Sequence, residues 1–440
     1  MQNLDQHFIA PIRSFNRAAR LFLVMMIIYG VILSGWQLFF NFYMLQSGFD
    51  REFLGLVNSL PFAAGLILGI FVGRLSDRIG RKPSIMIGIS FSIIFMLVQV
   101  TAHQPVVIAI AAFLYGVFNM LFLVSQAPLM MKLSNSENRT MLFSLNFGLQ
   151  TVSSAVGELL AGQLPARFGI LLNVQAHSAA AYQAVLITSV LLGTVSLIPL
   201  WLMKEPPSPR SQGMNNGPLQ ASVESVHNDP PPNKLPPGLF NLAVKMAVPQ
   251  TLVGFGAAVL LPYLNVFYKD RFNISDSLLG VLFGLSSLSI TVTTIMGPWL
   301  TARLGGKIRA VVATQSISLL FLVMTGFSPF LWLSSVGLIV RSGIMNMSAP
   351  LYTAFCMEQT PEHHQGFVNS ILNLTWSIGW AVGPLISGIV QEHYGFDPLF
   401  ATTTILYFIA IVLTWFFFKR MDRPRLNPQT LVQAHEYLKE

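Results

Sequence analysis

Charge is what this 440-residue chain has least of: 10% of its residues are Asp, Glu, Lys or Arg, against 53% hydrophobic. Soluble domains carry about 25% charged residues. This chain could not cover water-facing surfaces of its length, so its apolar excess must face lipid. Cysteine is nearly missing as well. A lone Cys356 excludes an internal disulfide and a Cys-rich metal site. No G-x-x-x-x-G-K-[ST] loop is present, which removes ATP-driven transport by this chain. His363 and His364 are adjacent rather than four apart on a helix, so no metal site is expected. No nucleophile-and-base set stands in a plausible context. The chain therefore reads as a non-enzyme without cofactor, and as a monomer. The first twenty residues are polar and do not read as a cleavable signal, so the first helix is expected to stay in the membrane.

What is present is a series of apolar runs. A membrane helix needs about 20 such residues. Twelve runs qualify, near 21–45, 53–73, 84–102, 106–131, 140–164, 179–203, 240–267, 277–302, 309–326, 330–356, 367–390 and 398–418. The net charge of +8 would suggest nucleic acid in a soluble protein. Here the basic residues follow the loops instead. With the N-terminus inside, the inner segments hold 20 Lys and Arg and the outer loops 4. That asymmetry places both termini in the cytoplasm. Residues 204–239 contain nine prolines and no apolar periodicity, as a cytoplasmic linker would. The expected organisation is a tail (1–20), a six-helix bundle (21–203), the linker (204–239), a second six-helix bundle (240–418) and a tail (419–440). This is an all-α membrane protein.

The halves resemble each other. NRTMLFSLNFGLQTVSSAVGELLAG (138–162) lies over HQGFVNSILNLTWSIGWAVGPLISG (364–388), so that Gly162 meets Gly388. VSQAPL matches NMSAPL in the fourth and tenth runs, and FLGLV matches LLGVL in the second and eighth. Such internal repeats are the trace of a transporter built from two related bundles.

Between the second and third runs stands GRLSDRIGRKP, with Gly73, Asp77, Arg78, Gly80, Arg81 and Lys82. Its spacing and place resemble the loop motif G-x-x-x-D-R/K-x-G-x-R/K-R/K of the major facilitator superfamily. The resemblance covers all but the tails and linker. It implies a transporter of small molecules by alternating access, in the cell membrane. It also implies a cytoplasmic latch in which Asp77 faces the start of the eleventh span near Gly366; the plainer reading is that the cluster only sets orientation. The second copy, GPWLTARLGGK, has Ala302 in place of the Asp. A further motif of the family, G-x-x-x-G-P-x-x-G-G, is best matched on the eleventh span by Gly379, Gly383, Pro384 and Gly388, and is weakened on the fifth. Close packing by small residues explains both stretches as well as a mechanistic role does.

Ionisable residues inside spans are functional candidates. Arg341 sits mid-span in GLIVRSGIMN. It would hold an anionic or strongly polar substrate group, or pair structurally. Glu158 is the acidic residue deep in a span. An acid in an apolar site can load and release protons, so it is the candidate for proton coupling; otherwise it pairs with Arg341 or stays neutral. Lys245, near a span end, can snorkel. The resemblance implies that spans one, four, seven and ten line the cavity. Their polar and aromatic residues are the remaining substrate candidates: Trp36, Gln37 and Asn41; Tyr115, Asn119 and Gln126; Gln250 and Tyr263; and Asn346. The expected function is proton-coupled efflux of small organic molecules. Alternatives are a proton symporter or exchanger for an anionic metabolite using Arg341, and a transporter-like sensor or scaffold.

Overall fold

The computed structural model describes residues 15–135, 138–204 and 238–421. The expected linker and the outer parts of both tails lie outside the described residues. Within them the chain forms twelve long helical segments and no strand. They are α1 (Arg17–Gln46), α2 (Arg51–Ile79), α3 (Arg81–Thr101), α4 (Pro105–Leu133), α5 (Arg139–Ala161, resuming as Leu164–Leu172) and α6 (Ala179–Leu202). The second half adds α7 (Leu239–Leu260, resuming as Leu264–Phe272), α8 (Asp276–Leu304), α9 (Lys307–Phe327), α10 (Leu331–Glu358), α11 (Gln365–Tyr394) and α12 (Asp397–Phe418). Ten are apolar enough to cross a membrane by length and composition; α10 and α11 have the length but more polar residues. Helices are the form that satisfies every backbone group inside lipid.

The packing is a repeat. In the first half α1 packs on α5 and α6, α4 on α2 and α3, and α3 on α6. The same five pairings recur six helices later: α7 on α11 and α12, α10 on α8 and α9, and α9 on α12. Two six-helix bundles result. They meet along two seams, α2 against α11 and α5 against α8, which the repeat exchanges.

The glycines matched in the sequence repeat make these seams possible. A Cβ on Gly388 would lie 2.2 Å from the Arg51 carbonyl oxygen, and one on Gly55 would lie 2.7 Å from that of Pro384. On the other seam, a Cβ on Gly280 would lie 2.5 Å from the Glu158 carbonyl oxygen, and one on Gly162 would lie 2.9 Å from that of Asp276. Both crossings sit at the end carrying the 1–2, 5–6, 7–8 and 11–12 turns, here the far end. At the opposite end, where both tails emerge, a Cβ added to Gly73, Gly148 or Gly366 would meet nothing within 4 Å. The bundles are thus shut at the far end and apart at the tail end.

Two expectations change. The charged motif is not a loop: α2 stays helical through Ile79, and the turn is confined to Gly80 at φ +94°. Arg78 in the last turn suits the negative end of the helix dipole, so the helix continues past its apolar run. The expected latch contact is also not made in this conformation. The Asp77 carboxylate, 62% exposed, accepts from Arg81 one turn on, and the space around Gly366 is open. With the tail end apart, α11 is out of reach.

Candidate functional site

At the closed apex between the bundles lies a cavity of about 350 Å³. Trp36, Gln37, Leu38, Phe40 and Asn41 of α1, Asn58 of α2 and Glu158 of α5 line it from the first bundle. Leu261, Pro262 and Asn265 of α7, Phe283 of α8 and Trp380 of α11 line it from the second.

Its floor is made by a break in α7. Pro262 has no N–H and cannot continue the helix ladder, and residues Leu261–Tyr263 form a single 3₁₀ turn. The Asn265 side chain takes up the freed Val266 N–H at 2.9 Å. The Pro262 carbonyl is left to accept from Asn41 Nδ2 at 2.6 Å, across the bundle boundary. Asn41 Nδ2 also reaches Asn265 Oδ1 at 3.1 Å, and Asn265 Nδ2 donates back to the Leu38 carbonyl at 2.9 Å. Asn58 Nδ2 completes the set by donating to Asn41 Oδ1 at 3.1 Å. Three amides therefore close the α1–α7 crossing, with Asn41 bonding through both its nitrogen and its oxygen. Aromatic rings form the walls: Trp36 stacks on Phe40 at 4.5 Å, and Trp380 meets Phe62 at 5.0 Å.

Glu158 is the ionisable residue of this cavity. It is 7% exposed, and its Oε2 accepts from Ser287 Oγ of α8 at 2.8 Å. It does not pair with Arg341. Arg341 is 3% exposed inside the second bundle, where one Nη donates to Tyr407 Oη at 3.3 Å and the guanidinium lies 5.9 Å from that ring. Its Nε has no hydrogen-bond partner among the described residues, and no carboxylate of those residues lies within 4 Å. Arg341 is not among the residues lining the apex cavity. It faces α12 through Tyr407, and mid-span depth does not fix which face of α10 a residue occupies.

The other sequence candidates divide. Trp36, Gln37 and Asn41 converge in the cavity. Asn119 forms a separate group between α1 and α4, accepting from Tyr29 Oη at 3.4 Å. Gln126 approaches Met26 Sδ at 3.6 Å on the same pair of helices, and Tyr115 packs nearby, partly buried. Tyr263 is fully buried and donates to the Pro384 carbonyl at 3.0 Å, so it braces the α7–α11 contact rather than facing a ligand. Gln250 is half-buried on α7. Asn346 is exposed and bonds back to the Ser342 carbonyl at 2.8 Å. Lys245 is exposed at the tail-end half of α7. Of the basic motif, Arg81 also donates to Ser76 Oγ at 2.8 Å, and Lys82 caps the carbonyls of Trp201 and Met203 at the end of α6.

Sequence reasoning missed Asn58, Asn265, Pro262, Phe283 and Trp380. Asn58 and Trp380 lie on α2 and α11, outside the four helices searched, yet a mid-span amide was signal enough. It also missed the far-end rim. There Asp276, buried, is met by Tyr182 Oη at 3.1 Å and His177 Nδ1 at 3.1 Å from the first bundle, and by Lys269 from its own. Arg51 pairs with Asp270 across the bundles at 2.7 Å, and His393 lies 3.0 Å from Glu52.

The sequence model of the Major Facilitator Superfamily matches residues 21–379 and 246–440. Among characterised proteins, the multidrug resistance protein MdtG of Salmonella typhimurium and that of Salmonella agona are each 28% identical over 179 residues. That match spans 39% of this chain and 43% of those relatives. Among solved structures, an inward-facing bacterial homologue of the human lysosomal transporter Spinster covers 90% of this chain and 95% of its own, with TM-score 0.69 at 13% identity. The nucleoside transporter NupG covers 91% and 98%, with TM-score 0.68 at 14% identity. A D-xylose–proton symporter covers 90% and 97%, with TM-score 0.66 at 15% identity. The twelve-helix repeat, the two exchanged seams and this match agree: the chain belongs to the Major Facilitator Superfamily of membrane transporters.

Proposed function

We propose that this transporter expels small organic cations, largely aromatic, in exchange for protons. The carrying observation is the composition of the apex cavity. Rings and amides surround a single carboxyl, Glu158, and no cation of the described residues lines the space. Such a site suits a flat apolar body with a positive or hydrogen-bonding group. The multidrug-resistance name of the MdtG relatives supports the direction, and the xylose–proton symporter supports a fold that accommodates proton coupling. With the basic residues concentrated at the tail end, that end faces the cytoplasm. The structure is then the inward-open form in a cell membrane, ready to take substrate from inside.

Glu158 serves both loads. As a carboxylate it attracts the substrate's cationic group; once the site opens outward, a proton replaces the substrate and neutralises the same oxygen. The two loads exclude each other at one group, which is the condition for exchange. Asn41, Asn58 and Asn265 close the outer side while substrate enters from the inner side. Asp77 would reach α11 only in the opposite state, as the latch of that state.

A second reading draws on Arg341. A buried guanidinium with an unpartnered Nε and no described carboxylate nearby would be met by an anionic substrate if the second bundle rearranged. One experiment separates the readings. In inside-out vesicles with an acid lumen, adding ethidium should release lumenal protons, and Glu158→Gln should abolish that release. Release driven by organic anions, lost in Arg341→Lys and kept in Glu158→Gln, would replace the efflux reading with the anionic one.

A further inference from the structure

The two seams are related by the repeat, yet they are built differently just inside their glycine crossings. On the α2–α11 seam, Phe62 meets the Trp380 ring at 5.0 Å, one turn from Pro384. The repeat carries Phe62 onto Ser287, Trp380 onto Ser154 and Pro384 onto Glu158. On the α5–α8 seam the counterpart of Phe62 bonds one turn further along, in the 2.8 Å hydrogen bond from Ser287 to Glu158, the counterpart of Pro384. One seam is joined by rings that no proton affects; the other is joined by a carboxylate and a hydroxyl on opposite bundles. Ser287 also differs from its neighbour. Ser286 Oγ bonds back to the Leu282 carbonyl at 2.8 Å, whereas Ser287 extends its hydroxyl across the boundary.

We infer that Ser287 is the positioning residue that makes exchange obligatory: it holds the unloaded Glu158 carboxylate across the α5–α8 seam, so the far end opens only after a proton or a cationic substrate has occupied that carboxylate. This rests on Glu158 being the coupling group. A hydrogen bond to an ionised carboxylate is about twice as strong as one to a neutral acid. When a proton binds, it resides on a Glu158 oxygen, the carboxyl becomes neutral and the Ser287 bond weakens. When a cation binds, the carboxylate's charge turns toward the substrate. Either load loosens the seam, and the empty charged site stays clamped. Among the described residues no other ionisable group interferes: α1 presents Trp36, Gln37 and Asn41, α2 Asn58, α7 Pro262 and Asn265, α8 Phe283 and Ser287, and α11 Trp380. The nearest charges on α7 and α8, Lys269 and Asp276, are paired with each other at the rim, and Arg341 faces α12.

The test uses the full chain in liposomes with ethidium, read two ways. Counterflow exchanges ethidium for ethidium; net entry of ethidium from the far side without a pH gradient requires the empty carrier to reopen its far end. The wild type should show net entry about tenfold slower than counterflow, the factor expected for a charge-assisted bond. Ser287→Ala should raise net entry to the counterflow rate while substrate still releases protons, and Ser287→Thr should restore the wild-type ratio. A general packing defect would lower both rates and would not be rescued by Thr. Should the alanine variant be lost in purification, Ser287→Cys, nearly isosteric with a weak donor, carries the same expectation. An unchanged ratio in Ser287→Ala, with proton release abolished by Glu158→Gln, would overturn the clamp and leave the coupling role intact. Proton release that survives Glu158→Gln would overturn the reading on which the clamp depends.

Discussion

At the residue scale, Arg341 and Glu158 are both ionisable groups buried within spans, and they face different ways. One faces the interior of its own bundle and the other faces the boundary between bundles. Depth in a span therefore says less about a role than direction does. We expect Arg341→Met to leave the apparent KM for ethidium within about twofold, because a buried cation exchanged for an apolar chain of similar length is often tolerated. A tenfold rise in KM at normal expression would place Arg341 in the substrate path. Asn41 is the opposite case. It bonds Pro262, Asn265 and Asn58, and its loss strands acceptors in a buried site at about 1–3 kcal/mol. Asn41→Ala should lower the melting temperature of the detergent-solubilised protein by several degrees and raise far-end access to the cavity. Stability and access equal to wild type would show that water fills the gap without consequence. Asn41 was legible as a polar residue within an apolar run; Asn58 and Asn265 were missed, and the pairing of the three was not visible. It depends on the break at Pro262, and a proline in a membrane helix announces a freed backbone group without saying what takes it up.

At the scale of elements, the landmarks of the sequence repeat acquire a shared purpose. Gly55, Gly162, Gly280 and Gly388 were visible as matched positions. That Gly55 would meet Gly388 and Gly280 would meet Gly162 was not, because a repeat aligns a helix with its counterpart and not with its partner in the other bundle. The helix count and the division into bundles were legible because lipid imposes length and apolarity on every span. The extension of α2 to Ile79 was not, since its last turns are charged and leave no apolar signal. The crossings support a prediction about geometry. Gly388→Ala would place a Cβ 2.2 Å from a backbone oxygen that cannot rotate away. Each bundle should still fold, but the far end should fail to close, and transport should fall at least tenfold. Gly148→Ala, which meets nothing within 4 Å, should keep most activity. Equal activity in the two variants would show that the seam has slack the distances do not suggest.

At the scale of the whole molecule, polar contacts join the bundles at the far end in this conformation, and the alternating access proposed above calls for a counterweight at the tail end. The far end is closed by the buried Asp276 with Lys269, Tyr182 and His177, and by more exposed pairs such as Arg51–Asp270. Exposed pairs contribute about 0–1 kcal/mol each; breaking a buried one costs more, since a partner is left uncompensated. The tail end in this conformation holds Asp77 in a local pair with Arg81; under the proposed latch it would exchange that partner when α11 approaches. Substitutions at the two ends should therefore act in opposite directions. Spin labels on cysteines at His103 and Phe330, at the far ends of the two bundles, report the opening, and the native Cys356 is buried away from the reagent. Asp276→Asn should increase the population with a long His103–Phe330 distance by about tenfold or more. Asp77→Asn should decrease it by a few-fold, since an exposed carboxylate contributes little. Both should slow turnover, because a carrier held on either side completes fewer cycles. Distances that move the same way in both variants would mean that the two ends are not opposed. Asp77 would then set only the orientation of the chain in the membrane, and the far-end rim would close the molecule without any counterweight at the tail end.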